Sequence, residues 1–241
     1  MYTFDSRVRY SETGEDGKLG LTGIINYMQD CSTFHSEDSG VGIKELTKEH
    51  RAWLVSSWHI VIDERPCLGD RLVMGTWHSG VKGFYGYRNF VIQNPNGKSY
   101  VRATAVWFYY DTEKGTPVRV PQEAITPYGA VEEPLDLGNV PRKIAIPQES
   151  VQAEPVTVQR HHLDTNHHVN NAQYVEIARE ALPEGLEICE IRVDYKKAAV
   201  LGDTMHPKVS EVEKQVYTVV LAGEEDTVYA VVWLRAKEEE T

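Results

Sequence analysis

Apolar residues recur along this chain with two different periods. Leu21, Ile24, Ile25, Met28 and Cys31 fall three or four positions apart, which marks one face of a helix. Four runs rich in β-branched and aromatic residues follow, at 53–62, 71–78, 85–93 and 100–110, and these read as strands. The last two flank Asn94-Pro95-Asn96-Gly97, a hairpin turn. An extended segment over 2–10 and a turn-rich stretch with Gly14, Asp16, Gly17 and Gly20 precede the helix.

The second half repeats this order. A strand-like run at 156–162 leads to a helical pattern with Ala172, Val175 and Ala178 on one side, stopped by Pro183 and Gly185. Strand-like runs follow at 188–196, 204–211, 216–221 and 227–234. Local echoes keep the same sequence order in both halves. Leu68-Gly69-Asp70 returns as Leu201-Gly202-Asp203, Ala105-Val106-Trp107 as Val231-Val232-Trp233, and Asn26-Tyr27 lines up with Gln173-Tyr174. The expected organisation is an N-terminal repeat over 1–112, a Pro-rich linker with one short helix over 113–150, and a C-terminal repeat over 151–241. A long helix followed by an antiparallel meander is an α+β unit in which the helix covers one sheet face.

Candidate chemistry concentrates at 164–174, just ahead of the second helix. Asp164, Asn166 and His168 alternate there. Alternate side chains of an extended segment point the same way, so the three are expected to converge. The helix starting near Asn170 would aim free backbone N–H groups, those of Val169 and Asn170, at the same point. An acid, a carboxamide and an imidazole beside backbone donors suit hydrolysis of an acyl compound. The competing structural reading is a helix-entry network, because Asp and Asn favour turns and caps. His161, His162, His167 and His168 form doublets rather than an i, i+4 helical pair, so no metal site is expected, and no cofactor motif is visible.

Composition narrows the class. With 41% hydrophobic and 25% charged residues, a soluble globular protein is expected, and no run approaches a membrane span. The net charge of −11 argues against nucleic acid as main partner. Cys31, Cys67 and Cys189 lack paired spacing and read as reduced thiols, which together with the absence of a signal-like N-terminus suggests the cytoplasm. The acidic end, Lys237-Glu238-Glu239-Glu240-Thr241, reads as a frayed tail without function.

Together, the repeat and the run Leu163-Asp164-Thr165-Asn166-His167-His168-Val169-Asn170-Asn171, with Tyr174 and Glu176 behind it, resemble the acyl–acyl-carrier-protein (acyl-ACP) thioesterases of plants and bacteria. Trp53-Leu54-Val55-Ser56-Ser57-Trp58, Ala103-Thr104-Ala105-Val106-Trp107 and Asp194-Tyr195-Lys196-Lys197 support the resemblance, which covers nearly the whole chain. It implies a tandem (double) hotdog, two antiparallel sheets each wrapping a long central helix. It also implies release of free fatty acid from acyl carrier protein, with Asp164, Asn166 and His168 in the active site. The plant pattern follows the segment matching 194–197 with a Glu and a Cys proposed as catalytic; here these are Ala198 and Ala199. Base duty then falls to Asp164 or His168, and a covalent route through Asp164 stays open.

Aligning Tyr27 with Tyr174 sets Gly17, Leu19 and Leu21 opposite Asp164, Asn166 and His168, so the first half is expected to lack the polar site. It would instead supply acyl-pocket walls from Leu21, Ile24, Ile25, Met28, Trp53 and Trp58. An acidic carrier calls for basic contacts, with Lys44, Lys48, Arg51, Arg142, Lys143, Lys196 and Lys197 as candidates. Rival functions are an acyl-CoA thioesterase and a non-catalytic acyl-binding hotdog protein. Either a monomer or a homodimer fits.

Overall fold

The computed structural model describes residues 1–225 and 227–238; the last three residues of the acidic end lie outside these. The chain divides into two compact units, one of Met1–Trp58 and Ile62–Gly138, the other of His59–Val61 and Asn139 onward. Both are mostly antiparallel sheet with few helices.

In the first unit, β1 (Tyr2–Arg7) precedes helix α1 (Leu21–Asp38) and the short helix α2 (Ile43–Lys48). Strands β2 (Arg51–Ile62), β3 (Arg71–Lys82), β4 (Tyr85–Gln93) and β5 (Ser99–Asp111) complete a sheet of order β1-β3-β4-β5-β2. α1 packs on β3 and β4. Its buried face is the expected apolar one extended by Tyr27, Ser32 and His35. Each large apolar side chain removed from water on this face contributes about 1.5–3 kcal/mol. α2 has only six residues and left no readable period in the sequence.

Residues 113–138 are not a free linker. After β6 (Thr116–Pro117), two single 3₁₀ turns, Gln122–Ala124 and Thr126–Tyr128, stand where one short helix was expected. The segment then runs as a strap over the first unit. Glu132 N–H donates to His78 O (3.1 Å), Trp77 Nε1 to Glu133 O (2.9 Å) and Leu135 N–H to Asn89 Oδ1 (3.0 Å). Beyond it, Ile144 N–H donates to Asp194 Oδ2 (3.0 Å) and its side chain packs on Val220 and Val231 of the second unit. The stretch thus bonds to the first unit before Gly138 and to the second unit after it.

The second unit holds β7 (Val151–Gln152), β8 (Val156–Thr157), helix α3 (Asn171–Glu180), β9 (Ile188–Tyr195), β10 (Thr204–Glu213), β11 (Val216–Ala222) and β12 (Val228–Ala236). Its sheet runs β9-β12-β11-β10-β7, with β8 also on β10. α3 packs on β11 and β12. It has ten residues against eighteen in α1, because Pro183 lies just beyond its end and cannot continue a helix. The expected strand over 156–162 is only two residues long. A 3₁₀ turn, Arg160–His162, replaces its second part, closed by Gln159 N–H donating to His162 Nδ1 (3.0 Å).

The Leu-Gly-Asp echo is structural. Asp70 Oδ2 accepts from Cys67 N–H (2.8 Å) and Asp203 Oδ2 from Val200 N–H (3.0 Å). Gly69 and Gly202 both have φ of 89°, a left-handed value that disfavours side chains. Asp70→Ala and Asp203→Ala should each cost about 1–2 kcal/mol in urea unfolding, by loss of a charge-assisted bond to a turn amide. Equal costs would match the equal geometry; no cost at either would discount these turns.

Candidate active site

The residues 164–168 do not form the extended segment expected from their alternation. Leu163 and Val169 bridge antiparallel, and the five residues between them close a tight loop. Asp164 N–H donates to His168 O (2.8 Å) and His167 N–H to Asp164 O (3.1 Å). The Asp164 side chain drives this: Oδ1 accepts from Asn166 N–H (2.8 Å) and His168 N–H (3.3 Å). A short acidic side chain that binds backbone two residues ahead competes with extended structure. His167 completes the loop at φ 60°. Asp164 is half-buried, while Asn166, His167 and His168 are exposed. The loop brings the Asp164 carboxylate to the backbones of Asn166 and His168; no hydrogen bond joins the three side chains. Oδ2 of Asp164 is left without a protein partner among the described residues.

The expected oxyanion donors are committed to the fold. Val169 N–H donates to Ala199 O (2.9 Å) and Asn170 N–H to His162 O (2.8 Å). Both amides lie where the chain turns from loop to helix, and a buried N–H there must be paired. Asn170 is instead the helix N-cap, its Oδ1 accepting from Ala172 N–H (2.9 Å) and its carbonyl from Gln173 N–H (2.9 Å).

Two tyrosines that the sequence named without a role hold this corner. Buried Tyr174 accepts on its hydroxyl from Ala199 N–H (2.9 Å). Tyr195 donates to Asn171 O (2.9 Å), and the two rings meet edge to face at 5.5 Å. Burial pushes the Tyr174 hydroxyl up to about 12, so it stays protonated. Ala199 is buried and Ala198 exposed, and Ala199 serves through its backbone alone. The signal was present as Tyr174 and Ala199, but no spacing rule links residues so far apart in sequence. On α3, burial and then the Glu180 charge raise the Glu176 carboxyl above its ordinary value.

The first unit contains the same frame, and it corrects the alignment. Thr13 and Leu19 bridge as Leu163 and Val169 do. Gly14 N–H reaches Lys18 O (3.0 Å), Gly17 N–H reaches Gly14 O (3.0 Å), Leu19 N–H reaches Pro66 O (2.8 Å) and Gly20 N–H reaches Glu12 O (2.9 Å). Gly14 therefore matches Asp164, Asp16 matches Asn166, Gly17 matches His167 and Lys18 matches His168. Tyr174 matches Ile24, not Tyr27. The first half has not lost every polar group: Asp16 and Lys18 remain, with Asp16 ion-paired to Arg65. The similar Asn26-Tyr27 and Gln173-Tyr174 pairs had drawn the alignment three residues out of register.

Among the expected acyl-pocket residues, Leu21, Ile24, Ile25, Met28 and Trp58 are buried, and Trp53 lies half-buried against the Tyr109 ring at 4.9 Å. Of the expected carrier contacts, Lys44, Lys48, Arg142, Lys143, Lys196 and Lys197 are exposed. Arg51 is not available: its Nη1 binds buried Asp111 (3.0 Å) and the carbonyls of Glu49 and His50. A cation needed to neutralise a buried carboxylate is poorly placed to serve a partner.

Profile comparison matches residues 1–128 to the acyl-ACP thioesterase N-terminal domain and residues 146–234 to the acyl-ACP thioesterase C-terminal domain. A palmitoyl-acyl carrier protein thioesterase of Arabidopsis thaliana is 26% identical over 194 residues, covering 74% of this chain and 46% of that protein. A dodecanoyl-[acyl-carrier-protein] hydrolase of Cinnamomum camphora is 22% identical over 219 residues, covering 82% and 56%. Both are named chloroplastic. The chain spans about half the length of the curated relatives it matches. Among solved structures, an acyl-ACP thioesterase from Bacteroides thetaiotaomicron superposes with TM-score 0.88 at 22% identity, over 98% of this chain and 97% of that one. A 12:0-ACP thioesterase from Umbellularia californica gives 0.83 at 19%, over 98% of each. At these identities the likeness establishes the fold.

Tyr174→Phe tests the corner directly. The Ala199 amide would lose its acceptor while staying buried, at a cost of about 1–3 kcal/mol. Hydrogen exchange at Ala199 and Val169 should accelerate more than at the sheet core; unchanged protection at both would remove Tyr174 from this role.

Proposed function

This chain belongs to the acyl-ACP thioesterase family, and on that premise we propose that it hydrolyses acyl-ACP, releasing free fatty acid and ending chain elongation. The observation that carries the reading is the match of both family domains, in order, across 1–128 and 146–234. We read the two units as hotdog repeats in tandem, each a sheet around its principal helix, in a cytoplasmic enzyme whose cysteines are free. The described residues include no helix long and apolar enough to cross a membrane.

In this proposal Asp164, Asn166 and His168 are the catalytic residues. Oδ1 of Asp164 fixes the loop, and Oδ2 takes the proton of the attacking water. Asn166 orients the thioester carbonyl or the water. His168 returns a proton to the departing thiol. Water adds across the acyl C–S bond, giving carboxylic acid and carrier thiol. The route needs no side chain at Ala198 or Ala199. Those two alanines are also what favours the rival reading, an acyl-binding protein without turnover.

A hydrolysis panel of acyl-ACP across chain lengths, beside matched acyl-CoA, decides between them. Thiol release faster on acyl-ACP is expected; release only from acyl-CoA moves the substrate, and none from either leaves the binding reading. His168→Ala should lower kcat/KM by about 10²–10⁴ with an unchanged unfolding curve, and Asp164→Ala by as much, with a stability loss of about 1–2 kcal/mol from its loop bonds. Wild-type rates in both would sink this site.

Docking of the acidic carrier should use exposed cations, for which Lys44, Lys48, Arg142, Lys143 and Lys197 are proposed; Lys196 pairs with buried Asp194 (3.1 Å) and falls with Arg51. Because the whole chain carries −11, attraction must be local. Lys197→Glu is expected to raise KM several-fold at low salt without changing kcat, and added salt should narrow the gap. A salt-independent KM would discard electrostatic docking.

A further inference from the structure

The first unit's sheet ends on an open strand. β1 is the last strand on its side, and among the described residues nothing pairs with its outer margin. Just past it, Val8 N–H donates to Asp70 O (3.0 Å) and Val8 O accepts from Gly69 N–H (3.0 Å). Residues that exchange bonds alternate along an antiparallel pair. With Ser6 opposite Leu72, Phe4 opposite Met74 and Tyr2 opposite Thr76, the even positions of β1 therefore bond to β3. The amides and carbonyls of Thr3, Asp5 and Arg7 aim outward. Arg7 O already accepts from the Tyr27 hydroxyl of α1 (2.8 Å). Thr3 and Asp5 have no backbone partner among the described residues. A sheet margin with free donors and acceptors at alternate positions is a template for another strand.

The side chains of this margin are sorted by face. Thr3, Asp5 and Arg7 are exposed, while Phe4 is half-buried on the face covered by α1. The Phe4 ring meets Phe34 of α1 edge to face at 5.2 Å. Phe34 stays 44% exposed, and it is the large apolar side chain of α1 that the first unit does not cover. An uncovered ring and unpaired backbone thus stand together at one edge.

The geometry points to a second copy of this chain as the occupant: we propose that β1 pairs antiparallel with β1 of its partner about Phe4, joining two first-unit sheets edge to edge. Outward residues must meet outward residues, which leaves three central registers. Centring on Asp5 sets two carboxylates directly opposite, a destabilising pair. Centring on Ser6 requires the Arg7 carbonyl, which Tyr27 holds. Centring on Phe4 uses only free groups. Thr3 N–H then donates to Asp5 O of the partner and Asp5 N–H to Thr3 O of the partner, twice by symmetry. The Thr3 hydroxyl faces the partner's Asp5 carboxylate, a donor against an acceptor. On the other face Phe4 meets Phe4 of the partner, with a Phe34 ring beside each. An isolated peptide strand would leave both Phe34 rings uncovered, whereas the second copy supplies the matching pair. The contact is small, so association is weak and concentration-dependent. Each chain carries −11, so added salt tightens it by screening repulsion. The proposal does not depend on the hydrolase reading.

Sedimentation velocity over a concentration series up to about 1 mM tests it on the whole chain, at low and high salt. A monomer–dimer equilibrium that strengthens with salt is expected. Thr3→Pro removes an outward N–H and no bond to β3, so it should weaken the dimer about tenfold or more with the fold kept. Phe34→Glu, on the exposed ring, should do the same; if Thr3→Pro does not fold, Phe34→Glu decides. Register is read by oxidative cross-linking in a Cys67→Ser, Cys189→Ser background. About the Phe4 centre the facing α-carbons are about 4.5 Å apart, inside the roughly 4.4–6.8 Å that a disulfide spans. Phe4→Cys should therefore cross-link readily and Ser6→Cys should not. A chain monomeric at every concentration, a dimer loosened by salt, wild-type association in Phe34→Glu, or faster cross-linking of Ser6→Cys would each overturn the proposal.

Discussion

A buried amide must find an acceptor, and at Val169 the acceptor is the carbonyl of Ala199. That bond fastens the loop of 164–168 to the turn after β9. The opposite side of Ala199 is fastened to α3 through the Tyr174 hydroxyl. Helix, loop and strand end thus meet on the two polar groups of one small residue. The demand falls on backbone, which is why an alanine suffices where the plant pattern has a cysteine. Leu19 and the Pro66 carbonyl repeat the arrangement in the first unit, so the constraint belongs to the frame and not to any chemistry built on it.

Long, regular features were legible from the sequence. The apolar face of α1, the hairpin at 94–97 and the paired Leu-Gly-Asp turns are local patterns with local causes, and each stands where it was read. What stayed hidden was set by side chains bonding to backbone a few residues away. Asp164 turns an alternating run into a closed loop, and His162 turns a strand into a 3₁₀ turn. Alternation alone cannot distinguish these from extended chain. The register of the repeats was misread for a related reason: the tyrosines were salient to the eye, whereas the equivalence is carried by amides and carbonyls. Arg51 looked like a surface cation until its buried partner Asp111 came into view.

The two units show how one frame carries different electrostatics. In the second, a carboxylate next to the helix start is partly satisfied by the amides of its own loop, with one oxygen left over. In the first, the corresponding position is Gly14, and the notable charge is instead Arg88 under the far end of the helix. A duplicated fold can separate tasks in this manner, because each copy keeps the hydrogen bonds that hold it together while its leftover donors and acceptors drift independently.

His167 sits at φ 60° where its counterpart Gly17 sits at 69°. The turn demands a left-handed residue in both copies, and for a residue with a β-carbon that conformation costs about 1–2 kcal/mol. The second copy therefore tolerates at this exposed bend a strain that the first escapes with glycine. An engineer hardening this chain against heat would exchange the histidine first. The imidazole discarded would be a neighbour of the residues given the chemistry here, so ruggedness and turnover pull against each other at a single ring.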